Sequence, residues 1–194
     1  MNMPYDALTE ATDEALLVLY ANGDPVAARE LARRLVPRCL GFAARMLGDG
    51  AEAEDVAQEA MLRLWRIAPD WRPGEAQVAT WLYRVVANLC TDRLRRRRPV
   101  DLDAVPEPED GAPGPLSAML DAHRAEALQA ALDRLPERQR QAVVLRHLEG
   151  MGNPDIGAIM GIGTEAVESL VARGKRALAG MLRHRRRDLG YGDD

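Results

Sequence analysis

The chain has 194 residues, 47% of them hydrophobic and only 4% aromatic, with a formal net charge of −4. That length fills two small cores but is short for three, and the abundance of unbranched Ala, Leu and Arg favours an all-α fold over sheets. No stretch approaches the roughly 18 apolar residues of a membrane span, and Met1–Asp6 lacks the basic start and apolar run of a secretory signal.

Charge is distributed unevenly. Residues 1–98 carry 14 basic and 14 acidic side chains, residues 99–117 carry five acids and no base, and residues 118–194 carry 12 basic and 11 acidic. Exposed charges are screened beyond about 10 Å, so local clusters matter more than the total. Two stand out: Arg93 with Arg95–Arg98, and the seven basic residues from Arg173 to Arg187. The two cysteines, Cys39 and Cys90, each lie in an apolar helical pattern, which reads as buried thiols in a reducing, cytoplasmic setting.

Four helices are expected before the first boundary. The first spans about 10–21, after Thr9, and the second about 24–47, with Asp24 as N-cap and Pro25 in the first turn. In the second, Ala28, Leu31, Leu35, Cys39, Phe42 and Met46 recur at three- and four-residue steps and make one apolar face. Gly48-Asp49-Gly50 closes it. The third covers about 51–67, Pro69 to Gly74 interrupts the chain, and the fourth begins near Thr80 and runs through the arginines to Pro99.

Residues 99–117 hold five prolines, two glycines and five acids, a composition that predicts an extended acidic linker. It separates domains at 1–98 and 118–194. Helices follow at about 118–134, 136–148, 153–160 and 164–183, with Thr164 as the expected N-cap of the last.

Three segments carry chemistry. Residues 153–178, NPDIGAIMGIGTEAVESLVARGKRAL, read as a helix-turn-helix, a short helix with inward Ile156 and Ile159, a glycine turn, and a longer helix with inward Val167, Leu170, Val171 and Leu178. Its outward positions, Thr164, Glu165, Glu168, Ser169, Ala172, Arg173 and Arg176, could reach base edges in a major groove. A plain helical hairpin is the alternative. In Ala51–Arg66, Val56, Ala57, Ala60, Met61 and Leu64 form an inner stripe, leaving Asp55, Gln58, Glu59, Leu62, Arg63 and Arg66 outside; an outward leucine among charges suits a protein partner. In Thr80–Arg98, Leu82, Val85, Val86, Leu89 and Leu94 face a core, and Tyr83, Arg84, Asn88, Asp92 and Arg95 are expected to be exposed. Aromatics beside arginines suit unstacked bases, although Trp81 in a core with solvated arginines fits equally.

Taken in order, AEDVAQEAMLRLW (53–65), TWLYRVVANLCTDRLRRRR (80–98) and LDRLPERQRQAVVLRHLEGMGNPDIGAIMGI (132–162) resemble signature segments of the extracytoplasmic-function sigma factors of bacterial RNA polymerase. The resemblance covers roughly residues 24–98 and 120–182. It implies a sigma region 2-like bundle and a region 4-like helix-turn-helix. The first segment would dock on the clamp helices of the largest polymerase subunit through Asp55, Gln58, Glu59, Leu62 and Arg63. Promoter DNA at the minus-ten element would meet the loop Arg72 to Gln77 and then Trp81, Arg84, Asn88 and Arg95. Thr164, Glu168, Ser169, Ala172, Arg173 and Arg176 would face the minus-35 element. The linker would thread the polymerase channel, and an anti-sigma factor holding the stress-sensing chemistry would be the control.

Two departures mark where promoter preference should differ from relatives. Glu168 stands where many have a basic residue, and a carboxylate can accept from cytosine N4. Val78 stands where a phenylalanine is often found. No cofactor is expected, since His123, His147 and His184 lie far apart, and no nucleophile–base pair or phosphate loop occurs, which argues against an enzyme. Two rivals remain, a dimeric operator-binding regulator and a decoy that only sequesters an anti-sigma factor.

Overall fold

In the computed structural model, residues 5–97 and 116–183 are described, with side chains from Leu8 and from residue 122 onward in the two stretches. Among them there are helices and turns but no strand. The first half comprises α1 (Tyr5–Glu10), α2 (Asp13–Ala21), α3 (Pro25–Leu47), α4 (Gly50–Ile67) and α5 (Val78–Arg97), with a 3₁₀ turn at Ala68–Asp70 after α4. The second comprises α6 (Leu116–Asp133), α7 (Glu137–Val143) running into a π-helical turn (Val144–Leu148), α8 (Asn153–Met160) and α9 (Thr164–Arg183).

Helix starts follow side-chain caps. Thr12 Oγ1 accepts from the Ala15 N–H at 3.2 Å, Asp24 Oδ1 from Val26 and Ala27 N–H at 2.8 and 3.2 Å, and Asp49 Oδ1 from Glu52 N–H at 2.9 Å. Each satisfies donors that the first helical turn leaves without an intrahelical acceptor. The Thr12 cap breaks the expected helix 10–21 into α1 and α2. Gly48 ends α3 with φ of 67°, a conformation that costs glycine little.

The apolar stripe of α3 is buried at Leu31, Leu35, Cys39, Phe42 and Met46, with Ala27 taking the fully enclosed place expected of Ala28. α2, α4 and α5 close around it. Both cysteines are free and buried, and burial pushes each thiol up to about 12.

The two halves share one continuous core, running from Leu8 to Val167. α5 packs on α8, and α3 packs on α6 and α7. The seam also carries polar bonds: Thr91 Oγ1 donates to Glu137 Oε1 at 2.6 Å, Arg140 Nη1 to the Met46 carbonyl at 2.7 Å, and the Tyr83 hydroxyl to Glu149. Tyr83, expected to be exposed, is therefore buried, because the second half covers its face of α5. The guanidinium of Arg38 lies 5.4 Å from the centre of its ring, and burial followed by the Glu149 bond raises its pKa.

Two boundaries shift. Leu116 and Ser117, assigned to the linker, begin α6, and α5 starts at Val78 instead of Thr80. The rest of the linker call, 99–115, lies outside the described residues, as do Arg98, His184 and the basic tail beyond Arg183.

Candidate nucleic-acid interface

Three surfaces emerge, and the first is apolar. Along α4, Ala53, Val56, Ala57, Ala60, Met61 and Leu64 turn inward. Leu62 stays 43% exposed, and Val36 of α3 is 37% exposed beside it. They share a groove with Leu40, Met61 and Trp65, rimmed by Glu54 and Gln58. Trp65 is braced by Tyr20, ring centres 4.5 Å apart. Sequence pattern found Leu62 but missed Val36, Leu40 and Trp65, because they come from α3 or sit at the edge of the α4 stripe. Asp55, Gln58 and Arg63 are exposed. Glu59 accepts from Arg63 Nε at 2.8 Å, and that bond holds its carboxyl below the usual range. Asp55 lies 3.9 Å from Arg93.

The second surface joins the loop after Asp70 to the outer side of α5. Arg72 and Gln77 are exposed, and Arg72 pairs with Glu75 at 3.6 Å. Trp81 is half-buried and packs edge-on against Trp71, ring centres 6.3 Å apart, so it is both a core contact and a rim of the loop. Arg84, Asn88 and Arg95 are exposed and share one helical face, their spacings of four and seven residues being near whole turns. The neighbouring arginines are less available than their number suggests. Arg93 donates to the Glu52 carbonyl, and Arg97 binds the Leu47 carbonyl at 3.0 Å and Glu52 at 2.9 Å. These contacts tie α5 to α4 and leave Arg84 and Arg95 facing outward.

The third surface is the helix-turn-helix. Gly161 turns the chain with φ of 64°, and Ile162 N–H donates to the Gly157 carbonyl at 3.0 Å. A Cβ on Gly157 would lie 2.8 Å from the Ile162 carbonyl oxygen, and one on Gly174 would lie 2.5 Å from Val143 Cγ2. These glycines let α8 approach its turn and α9 approach α7. The Gly163 carbonyl accepts from Val167 N–H at 3.2 Å, so the capping place falls on Gly163 and Thr164 is the first helical residue. Thr164, Glu168, Ser169, Ala172, Arg173 and Arg176 are all exposed, while Val167 is fully buried. Glu168 also accepts from Asn153 Nδ2 at 3.2 Å, a cross-link between α8 and α9 that sequence pattern did not reveal. Arg173 and Arg176 fold back on the Ser169 and Ala172 carbonyls at 3.3 Å each.

Sequence and structure comparisons agree with this division. Sigma-70 region 2 matches residues 31–100, and Sigma-70 region 4 matches residues 125–178. The chain is 36% identical to the ECF RNA polymerase sigma factor SigE of Mycolicibacterium smegmatis over 87% of its own length and 68% of the relative's. It is 32% identical to the RNA polymerase sigma-H factor of Pseudomonas aeruginosa, covering 88% of this chain and 94% of that one. The structure resembles CnrH, solved in complex with the cytosolic domain of CnrY, with TM-score 0.67, 26% identity, and coverage of 89% of this chain and 97% of CnrH.

The two matched regions define a two-part sigma factor of RNA polymerase. More narrowly, the chain belongs to the ECF sigma factors.

Proposed function

We propose that this sigma factor uses its three surfaces in the order they occur along the chain. The α3–α4 groove, with Asp55, Gln58, Glu59, Leu62 and Arg63, docks on the polymerase clamp helices. The loop Arg72 to Gln77 and the face Trp81, Arg84, Asn88 and Arg95 open and read the minus-ten element. The outer face of α9, Thr164 to Arg176, reads the minus-35 element. The domains would be 1–98 and 118–194, and the protein would act in the cytoplasm, where its polymerase works.

One observation carries this reading. A single chain presents two separate exposed faces suited to nucleic acid, one on α5 and one on α9, besides an apolar groove that faces neither. An operator-binding dimer needs only one reading helix per subunit and a self-complementary face. CnrH, the structural relative, was solved bound to a cytosolic domain, which supports control here by an anti-sigma factor that holds both halves.

Transcription in vitro tests it. Core polymerase with the full chain on genomic DNA should initiate at sites sharing a bipartite motif, and no chain-dependent transcript from folded protein would reject the reading. Leu62→Glu should abolish core binding while the chain keeps its fold, as judged by circular dichroism. Arg173→Ala should weaken use of the matched minus-35 element by about 1–3 kcal/mol and relax preference at one base pair.

A further inference from the structure

The loop assigned above to the minus-ten element is anchored by a side chain far from it in sequence. The Val78 N–H donates to Oε1 of Glu14 at 2.9 Å, across 64 residues. Val78 is the first residue of α5, so its N–H lacks an intrahelical acceptor. α5 has no acidic residue in its own first turn. A carboxylate at that positive helix end is favourable, and α2 supplies it.

Glu14 is itself rigidly presented. It lies in the first turn of α2, at a corner staked by one arginine. Arg34 donates to the carbonyls of Leu8, Thr9 and Ala11 at 3.0, 2.7 and 2.7 Å, and to Asp13 Oδ1 at 3.2 Å. Its Nε donates to Glu30 at 2.7 Å, and Leu16 and Leu17 are fully buried beneath the same helix. The loop's other end is held by the Trp71–Trp81 contact. Between these anchors, residues 72–77 are exposed, with only the Arg72–Glu75 turn to order them. A cleft separates the start of α2 from Gly74–Gln77. Glu14 is thus the one fixed point on the C-terminal side of the loop from outside α5, and it precedes the stretch matched to region 2.

We propose that Glu14 is a positioning residue for the minus-ten loop. Without touching DNA, it fixes where α5 begins and therefore how Gln77 and its neighbours meet an unstacked base. The inference rests on the loop's assignment to the minus-ten element.

The test uses the full chain, core polymerase and a promoter carrying the bipartite motif, with 2-aminopurine in the minus-ten non-template strand. Opening rates are measured with each of the four bases at the captured position, alongside core affinity and thermal midpoint. Glu14→Ala should slow opening about tenfold or more, the scale of a lost bond to a charged acceptor, and flatten the base preference. Core affinity should not change. Glu14→Gln keeps an acceptor oxygen and should behave as wild type. Glu14→Asp keeps the charge but is one methylene short, and should resemble Glu14→Ala. If Glu14→Ala does not fold, the contrast between Gln and Asp decides. Wild-type opening and preference in Glu14→Asp would overturn the proposal, as would a loss in Glu14→Gln equal to that in Glu14→Asp. No opening by the wild-type chain on any promoter would remove the minus-ten assignment, and the proposal with it.

Discussion

At the scale of single residues, Glu30 is the most consequential charge in the molecule. It is 4% exposed and binds Arg33 at 2.8 Å through both oxygens and Arg34 at 2.7 Å. The Arg33 bond, then the Arg34 bond, holds its carboxyl at about 2 against an ordinary 4.5. A carboxylate depressed on folding stabilises the protein fully above its unfolded value, and that stability fades as pH falls. The thermal midpoint of the wild type should therefore drop between pH 4.5 and about 2, and Glu30→Gln should flatten that stretch of the curve. Glu30→Ala should cost about 3 kcal/mol in chemical denaturation, the low end for breaking a buried pair, because Arg34 keeps its three carbonyls and Asp13. A midpoint unchanged by either variant would show that Arg34 holds the α1–α2 corner unaided.

Among elements, the helix-turn-helix depends on glycines at two close approaches. Gly157→Ala forces a methyl against the Ile162 carbonyl, and Gly174→Ala forces one into Val143. Neither obstacle at Gly157 can rotate away, since it is backbone. Each variant should lose about 1–3 kcal/mol, the usual cost of overpacking, and Gly157→Ala should weaken minus-35 binding more than minus-ten opening. Equal stability of Gly157→Ala and wild type in thermal melts would refute the close-approach argument. The helices themselves were legible in the sequence, because Asp24, Asp49 and the glycines at 48 and 161 mark ends by local chemistry. Thr12 was overlooked as a cap because Ala11 and Ala15 do not interrupt the apolar pattern around it. Glu14 was invisible for a different reason: its bond is to a backbone N–H, and no side-chain type at Val78 announces it.

Across the whole molecule, the seam between the halves was the least legible feature. Periodicity assigns each helix an inside and an outside but assumes one neighbour set, so it turned Tyr83 toward solvent. The second half supplies the missing neighbour in Glu149. The site residues on α9 escaped this error because that face has no covering element among the described residues, and all six stay exposed. A double-mutant cycle on Tyr83→Phe and Glu149→Ala should give a coupling of about 1.5–3 kcal/mol, as for a hydrogen bond to a charged group. A coupling near zero would mean that the seam holds through its apolar contacts alone.

Glu149 reaches Tyr83 from the end of the π-helical turn, where its own N–H bonds the Val144 carbonyl five residues back at 3.0 Å. Such a turn holds one residue more than α-helical winding would use. Removing one residue from Val144–Leu148 would restore the ordinary winding and swing everything after it by about 100°. The heading of the reading helix relative to the first half is thus set by a single surplus residue, and insertions or deletions there should re-aim α9 where substitutions would only loosen it.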